Sequence, residues 1–256
     1  MKRTPNLIKS FILVLSFIWM HLFAGYACSP AQQPLSDAGQ QDSPSNVEQG
    51  NQKEEQVQKL GAGFLQKVHS FKPQKPASHG HEDFPKNLEG GPQGLGKNKG
   101  STHVVSLGCG GSIILEFSKP MIGDGKGPDF IIFENAFEDA IIQEYFIEPG
   151  RVSVSTDGKK WHAFPCQPDK GDWPFPQCAG TRAVLANATN GINPFDFEKA
   201  GGDAFDLKDV GLKYARFVKI EDLTKMVPDS AKWCGTDKAG FDLDAIAVRW
   251  SYTPKD

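Results

Sequence analysis

Short apolar runs, alternating or continuous and separated by turn-forming residues, dominate the chain from about residue 64 to residue 252. By their two-residue period they predict seven strands, at 103–107, 112–117, 129–133, 151–155, 161–164, 215–220 and 242–250. Helical periodicity is scarce, and only 137–146 predicts a short helical turn. An Asp-Gly pair at Asp157 and Gly158 predicts a hairpin between two of the strands. The pattern therefore predicts an all-β fold, a β-sandwich or jelly roll.

The N-terminus has a different pattern. Three basic residues precede an apolar run at 11–24, and Gly25, Tyr26 and Ala27 then lead to Cys28. This arrangement is typical of a secretory signal at residues 1–27, because a permanent membrane helix needs about 20 apolar residues. Cys28 fits two interpretations: an incidental cysteine of a secreted protein, or the lipid-bearing first residue of a mature lipoprotein. We favour lipidation, although a lipobox usually has Leu where Gly25 stands.

Residues 29–59 contain no aromatic residue and are rich in Gln, Ser, Pro, Asn and Glu. Such a segment buries too little apolar surface to offset the entropy of ordering it, so it predicts a flexible tether. The sequence thus divides into a signal at 1–27, a lipidated Cys28 with its tether at 28–59, and a β-sandwich domain at 60–256.

Charge narrows the range of partners. The formal net charge is −3, and it becomes about −6 once the basic signal is removed. No block of Lys or Arg remains after residue 27, which argues against nucleic acid as a partner. We expect contact with a membrane only through the N-terminal lipid.

The chain has five cysteines, so lipidation of Cys28 leaves an even four for an oxidising compartment to pair. Four cysteines allow three connectivities. We favour Cys166–Cys178, which closes a short loop, and this choice leaves Cys109–Cys234. Four free thiols are the alternative. A zinc pattern of paired cysteines is absent.

Several segments are similar to known bacterial surface modules. They are 104–117 (VVSLGCGGSIILEF), 129–135 (DFIIFEN), 152–161 (VSVSTDGKKW), 201–207 (GGDAFDL), 215–220 (ARFVKI) and 241–248 (FDLDAIAV). Their order resembles discoidin-like, galactose-binding-type jelly rolls, and more closely the cell-surface proteins and lipoproteins of that type. The similarity extends over about residues 84–250. It implies a jelly-roll fold and a surface location, and it says little about the ligand.

Acidic residues near two strand ends are candidates for a cation site. By alternation, Asp242 and Asp244 share the face of their strand with the apolar positions that follow. Buried like charges need compensation, and Ca²⁺ accepts carboxylate and carbonyl oxygens. Asp129, Glu134 and Asn135 can supply further oxygens. The predicted site is a structural calcium ion held by these five residues. The alternative is that the acids cap turns.

Aromatic residues of the loops are candidates for ligand binding. Trp173 and Phe175 lie among prolines in the 166–178 loop, and Trp233 precedes Cys234. Such rings stack on sugars or anchor protein partners, and loops at strand ends are common binding sites. The alternative, that the two aromatics of the loop form a small satellite core, stays open.

Enzymatic motifs are missing from the sequence, among them the nucleophile elbow, the His-Glu-x-x-His zinc motif and the phosphate-binding loop. We therefore expect a non-catalytic ligand-binding domain on a bacterial envelope, for carbohydrate or another surface ligand. An adhesion or structural protein with a protein partner is the alternative, and a hydrolase of unfamiliar type is a third. Ser29 after Cys28, where Asp would favour inner-membrane retention, points to the outer membrane.

Overall fold

The structure, a computed structural model, describes residues 57–139, 141, 144–169 and 175–254. These residues belong to one unit of the chain, Gln52–Asp256, and the other unit, Met1–Asn51, lies outside them. Their strands are β1 (Val57–Phe64), β2 (Lys67–Lys72), β3 (Val105–Ser106), β4 (Ser112–Glu116), β5 (Met121–Gly123), β6 (Phe130–Phe133), β7 (Phe137–Asp139), β8 (Glu144–Phe146), β9 (Gly150–Ser155), β10 (His162–Ala163), β11 (Asp203–Phe205), β12 (Tyr214–Ala215), β13 (Phe217–Asp222), β14 (Asp242–Leu243) and β15 (Ala245–Tyr252).

Helical structure in the described residues is limited to single turns. The 3-10 turns are Lys86–Leu88, Leu207–Val210, Thr224–Met226 and Lys232–Gly235, and one α-helical turn, α1, is Pro228–Ala231. Within the part of the chain that the structure describes, no helix has the length and apolar composition needed to cross a membrane. The prediction of an all-β fold is confirmed.

Two larger antiparallel sheets carry the fold. The first has the order β11-β6-β15-β5-β12, with β1 paired to β15, and the second has the order β10-β9-β13-β4-β2. Two small sheets, β14-β3 and β7-β8, lie outside them. Strand β1 runs antiparallel to β15, so that Val57 is opposite Tyr252 and Phe64 is opposite Ala247. Val57 therefore lies near the end of β15, and Phe64 lies nearer its start.

Alternation along the strands explains the main core. In β4, Ile113 and Leu115 are buried, and Ile220 of β13 lies opposite Ile113. Phe130 and Ile132 of β6 enter the same apolar cluster from the other sheet. Each such fully buried side chain contributes about 1.5–3 kcal/mol to stability. Residues of both larger sheets thus form one core.

Strands β6 and β15 are apolar on both faces because the outer face of their sheet is covered. Ile131 and Phe133 belong to a second cluster together with Val184 and Phe197. The chain between β10 and β11 supplies that cover. This covering explains why 130–133 is an uninterrupted apolar run rather than an alternating one.

All seven predicted strands correspond to strands of the structure, although several are shorter or divided in two. The helical turn predicted at 137–146 is wrong. The structure forms the hairpin β7–β8 there, and the cross-strand pair Phe137 and Phe146 stacks at 4.7 Å between ring centroids. Strand β1 begins at Val57, so residues 57–59, expected in the tether, belong to the β-structure.

Both predicted disulfides are present. Cys166–Cys178 joins residues 12 apart in the sequence, and Cys109–Cys234 joins residues 125 apart. The first closes the loop after β10. The second links the 228–235 segment covalently to the connection between β3 and β4.

Candidate functional site

The hairpin β7–β8 separates two cavities, and Phe137, Phe146 and Ile147 line both of them. The larger cavity, of about 830 Å³, is also lined by Phe164, Phe175 and the buried acid Asp203. The smaller, of about 650 Å³, has a mixed lining. Both volumes lie within the range of small-ligand sites.

The smaller cavity combines an aromatic wall with polar groups. Trp233 is half-buried, and its ring centroid lies 5.5 Å from that of Phe146. Asn135, Glu148 and Asp242 are among the less exposed polar residues of its lining. We call this the Trp233 cavity. It lies where β6 ends and β15 is about to begin, and the Cys109–Cys234 disulfide holds the segment that carries Trp233.

Asn135 and Asp242 are held rigidly. Asn135 Oδ1 accepts a hydrogen bond from the Ser101 backbone N–H at 2.5 Å, and its Nδ2 donates to the Ser101 carbonyl at 3.0 Å. The Ser106 hydroxyl donates to Asp242 Oδ1. Burial raises the pKa of Asp242, while the bonds from Ser106 and Asn135 oppose that rise. These side chains are therefore pre-positioned.

Two glutamates lie beside Asp242. Glu148 Oε1 accepts the Gly240 N–H at 2.7 Å, and Glu134 Oε1 accepts the Asp242 N–H at 3.3 Å. Burial, followed by the negative charge of Asp242, raises the pKa of Glu148. Burial, followed by the charges of Glu148 and Asp242, raises the pKa of Glu134 as well. Glu134 Oε2 is buried without a hydrogen-bond partner.

Asp244, between β14 and β15, is also buried. Its Oδ2 accepts the Gln93 N–H at 2.8 Å, and its Oδ1 has no hydrogen-bond partner, although His103 Nδ1 lies 3.8 Å away. Burial raises the pKa of Asp244 to about 7. Asp244 does not line the Trp233 cavity.

Asp129 lies at the opposite end of β6 from Glu134. The two are five residues apart along an extended strand, or about 16 Å at the usual rise per residue. Asp129 Oδ1 accepts the Gly125 N–H at 2.8 Å, and Oδ2 accepts the Leu207 N–H at 2.7 Å. The structure therefore does not bring the five residues of the predicted calcium site together.

Asp129 instead belongs to a separate group with Asp124 and Asp206, whose carboxylate oxygens lie within 4.8 Å of one another. Burial raises the pKa of Asp129 to about 7, and burial and then Asp206 raise the pKa of Asp124. Three carboxylates at this spacing can hold a metal ion.

Two of the predicted ligand-binding aromatics, Phe175 and Trp233, line different cavities. Phe175 is 6% exposed and packs with Ile147, Cys166 and Cys178, so it belongs to a satellite core beside the larger cavity. Trp233 lines the smaller cavity. Trp173 and the predicted lipidation site Cys28 lie outside the described residues.

Sequence reasoning missed Glu148 and Asp124. Glu148 follows a short strand and precedes a Pro-Gly pair, the kind of position that Glu134 has after β6. Glu148 could thus have been predicted as an acid that follows a strand. It was missed because the segment before it, 137–146, was predicted to be a helical turn. Asp124 lies in the glycine-rich loop 123–127, between β5 and β6.

Comparison of the chain with protein-family models and with curated proteins finds no match. The chemistry of the two cavities and of the Asp124 group therefore carries the functional argument.

Proposed function

We propose that this protein is an envelope lipoprotein whose β-domain, of galactose-binding-type jelly-roll kind, binds a saccharide without catalysis. The observation that carries the proposal is the Trp233 cavity. Its lining combines a half-buried indole with carboxyl and amide groups that hydrogen bonds hold in place. Sugar rings present an apolar C–H face and hydroxyl groups that both donate and accept hydrogen bonds, and this lining complements both.

The size of the cavity also fits. At about 650 Å³ it has room for a short saccharide rather than for a protein surface. The larger cavity also has a buried acid, Asp203, but among the described residues no Trp lines it. We therefore place the saccharide beside Trp233 and not beside Phe175.

A saccharide screen on the mature chain tests the proposal. We expect Trp233→Ala to lower the affinity for the best saccharide at least tenfold, since stacking on an aromatic face is a main source of sugar affinity. The matched control is Trp161→Ala, because Trp161 is also half-exposed but lies against Lys219 on a sheet and lines neither cavity. Calorimetry measures affinity, and circular dichroism checks folding.

Undiminished binding by folded Trp233→Ala would place the saccharide elsewhere. A screen in which no saccharide binds contradicts the proposal and favours the alternative of a protein partner. In that case a specific protein should bind the mature chain with an affinity that the same Trp233→Ala substitution reduces.

We further propose that the metal of the Asp124 group, formed with Asp129 and Asp206, is Ca²⁺ in a structural role. The support is the spacing of the three carboxylates, the burial of Asp129, and the glycine-rich loop 123–127 beside them. Calcium favours such oxygen-rich, flexible loops.

We expect 1 mM Ca²⁺ to raise the melting temperature after EDTA treatment, because an ion that binds only the folded state stabilises it. Asp124→Asn should remove this response and leave the backbone hydrogen bond of residue 124 to the Lys213 carbonyl intact. Asp196→Asn, in a loop outside the group, should keep it. A melting temperature that is the same in EDTA and in Ca²⁺ would exclude the site.

A further inference from the structure

Phenylalanine rings from four separate segments line the larger cavity. Two belong to the hairpin β7–β8, one directly follows β10, one lies in the loop that the shorter disulfide closes, and one ends β11: Phe137, Phe146, Phe164, Phe175 and Phe205. Phe164 and Phe205 pack edge to face, with 4.9 Å between their ring centroids. Apolar surface gathered in one concave site is typical of a ligand-binding site.

The fold fixes the walls of this cavity. Phe164 and Phe205 are 2% and 3% exposed and belong to the main core. The Cys166–Cys178 disulfide holds the segment that carries Phe175, and Cys178 itself lines the cavity. A site with ordered walls loses little binding free energy to the ordering of side chains.

The buried polar groups of the lining have their partners within the protein. Asp203 is buried, and its two carboxylate oxygens accept the Thr181 hydroxyl at 2.6 Å and the Thr181 N–H at 3.0 Å. Among the described residues, buried polar side-chain atoms without a hydrogen-bond partner occur in Asn87, Glu134, Asp244 and Trp250. None of these four lines the larger cavity. The cavity therefore offers contact with apolar surface and leaves no buried polar group for a ligand to satisfy.

The charges of the lining favour an ion of neither sign. Four charged residues of the lining are exposed or half-exposed, two basic and two acidic: Lys97, Arg182, Glu138 and Asp209. Burial raises the pKa of Asp203 to about 6, so that this carboxylate repels an anion at higher pH, and the two basic residues repel a cation. Transfer of a charge into an apolar site costs free energy unless a counter-ion pairs with it. An uncharged ligand avoids this cost.

We propose that the larger cavity is a second binding site, for an uncharged molecule with an aromatic ring system. The rings of the lining offer the edge-to-face and offset contacts that aromatic pairs prefer. The volume of about 830 Å³ has room for about two or three linked rings. The site is distinct from the saccharide site beside Trp233, although Phe137, Phe146 and Ile147 form a wall common to both cavities.

Two dyes with the same rings test the inference: N-phenyl-1-naphthylamine, which is uncharged, and 8-anilino-1-naphthalenesulfonate, which adds a sulfonate. The protein is the mature chain with Cys28→Ala, so that no lipid binds the dyes. We expect the uncharged dye to bind with one molecule per chain and with enhanced fluorescence. At pH 7.5, where Asp203 is ionised, its affinity should exceed that of the sulfonate at least roughly tenfold.

Ala183→Phe should lower the affinity for the uncharged dye at least roughly tenfold, because Ala183 is a half-buried residue of the lining and the added ring takes up part of the cavity. The matched control is Ala231→Phe, since Ala231 is also half-buried and lines neither cavity. Circular dichroism checks the folding of each variant. Where Ala183→Phe does not fold, Leu185→Trp fills the same cavity from another half-buried position and should have the same effect.

Trp233→Ala should leave the affinity for the uncharged dye within about threefold, because Trp233 does not line the larger cavity. Loss of dye binding in Trp233→Ala, or its persistence in a folded variant with the cavity filled, would place the dye elsewhere and overturn the inference. Equal or tighter binding of the sulfonate, or failure of the uncharged dye to bind, overturns it as well. The saccharide proposal is independent of these results, since its readout is the affinity for sugars and its sensitivity to Trp233→Ala.

Discussion

Single acidic residues show how strongly position controls charge in this fold. Glu116 contacts Arg216 Nη2 and also lies 3.5 Å from Lys67 Nζ and 3.2 Å from His69 Nδ1. The hydrogen bond from Arg216 is the main reason that the pKa of Glu116 falls to about 2. Asp244, which lacks such cationic contacts at hydrogen-bond distance, has its pKa raised instead.

The pKa of Asp244 leads to a pH-dependent prediction. In the unfolded chain this carboxyl titrates near 3.8, and in the folded chain near 7, so the folded state holds the proton more tightly. Its contribution to stability is therefore lost as the pH rises from about 4 to about 7. Asp244→Asn carries no charge and still offers an acceptor to Gln93 N–H.

We expect Asp244→Asn to match the original chain near pH 4 and to exceed its stability at pH 8 by roughly 1–3 kcal/mol. Urea unfolding at both pH values, in EDTA, measures the difference. Asp83→Asn, at an exposed position, should change neither value. Parallel pH profiles for Asp244→Asn and the original chain would show that Asp244 stays ionised in the fold.

Part of the site was predictable at this scale. Alternation and adjacency placed Glu134, Asn135 and Asp242 near one another, and the structure brings them into contact. The same reasoning could not separate Asp129 from them, because a sequence gives the order of residues along β6 but not which ends of the strands meet. A calcium site formed by Glu134, Asn135 and Asp242 stays a prediction, and the Asp124→Asn experiment tests a different group of acids.

At the scale of elements, alternation predicted strands of both larger sheets but not the short strands β5 and β11, which also bury residues. It missed β2, whose sequence KVHSFK alternates polar and apolar residues too weakly, and β1, whose composition resembles the tether. Their structure depends on pairing with β4 and β15, which lie distant in sequence. The segment predicted as a helical turn forms the hairpin β7–β8, where the turn brings Phe137 opposite Phe146.

The two disulfides should differ in their effects. Removing Cys109–Cys234 by Ser substitution releases a loop of 125 residues, and chain entropy gives a loss of about 5 kcal/mol. Removing Cys166–Cys178, with a separation of 12, gives about 3 kcal/mol. Denaturant unfolding under oxidising conditions measures both losses.

The first disulfide also fixes the segment with Trp233, so its removal should weaken saccharide binding as well as stability. The second double variant is the control, because its loop borders the larger cavity. Equal losses of affinity in the two variants, measured where both are folded, would contradict a special role for the Trp233 segment.

At the scale of the whole molecule, the main prediction concerns Cys28, which lies outside the described residues. We expect the full-length chain, expressed in a Gram-negative bacterium, to incorporate labelled palmitate and to partition into detergent. Cys28→Ala should abolish the label, because the thiol is the only acceptor left once the other cysteines pair. Ser29→Ala should retain it. Unchanged labelling of Cys28→Ala would refute the anchor.

The placement of β1 has a mechanical consequence for a protein held by its N-terminus. The chain enters the described strands at Val57, opposite Tyr252, whereas Asp242 and the Trp233 cavity lie beyond the start of β15. Tension between an anchor and a bound ligand would thus run along β1 and load its hydrogen bonds to β15 together, in shear. Strands loaded in this way resist extension better than strands that peel apart one bond at a time.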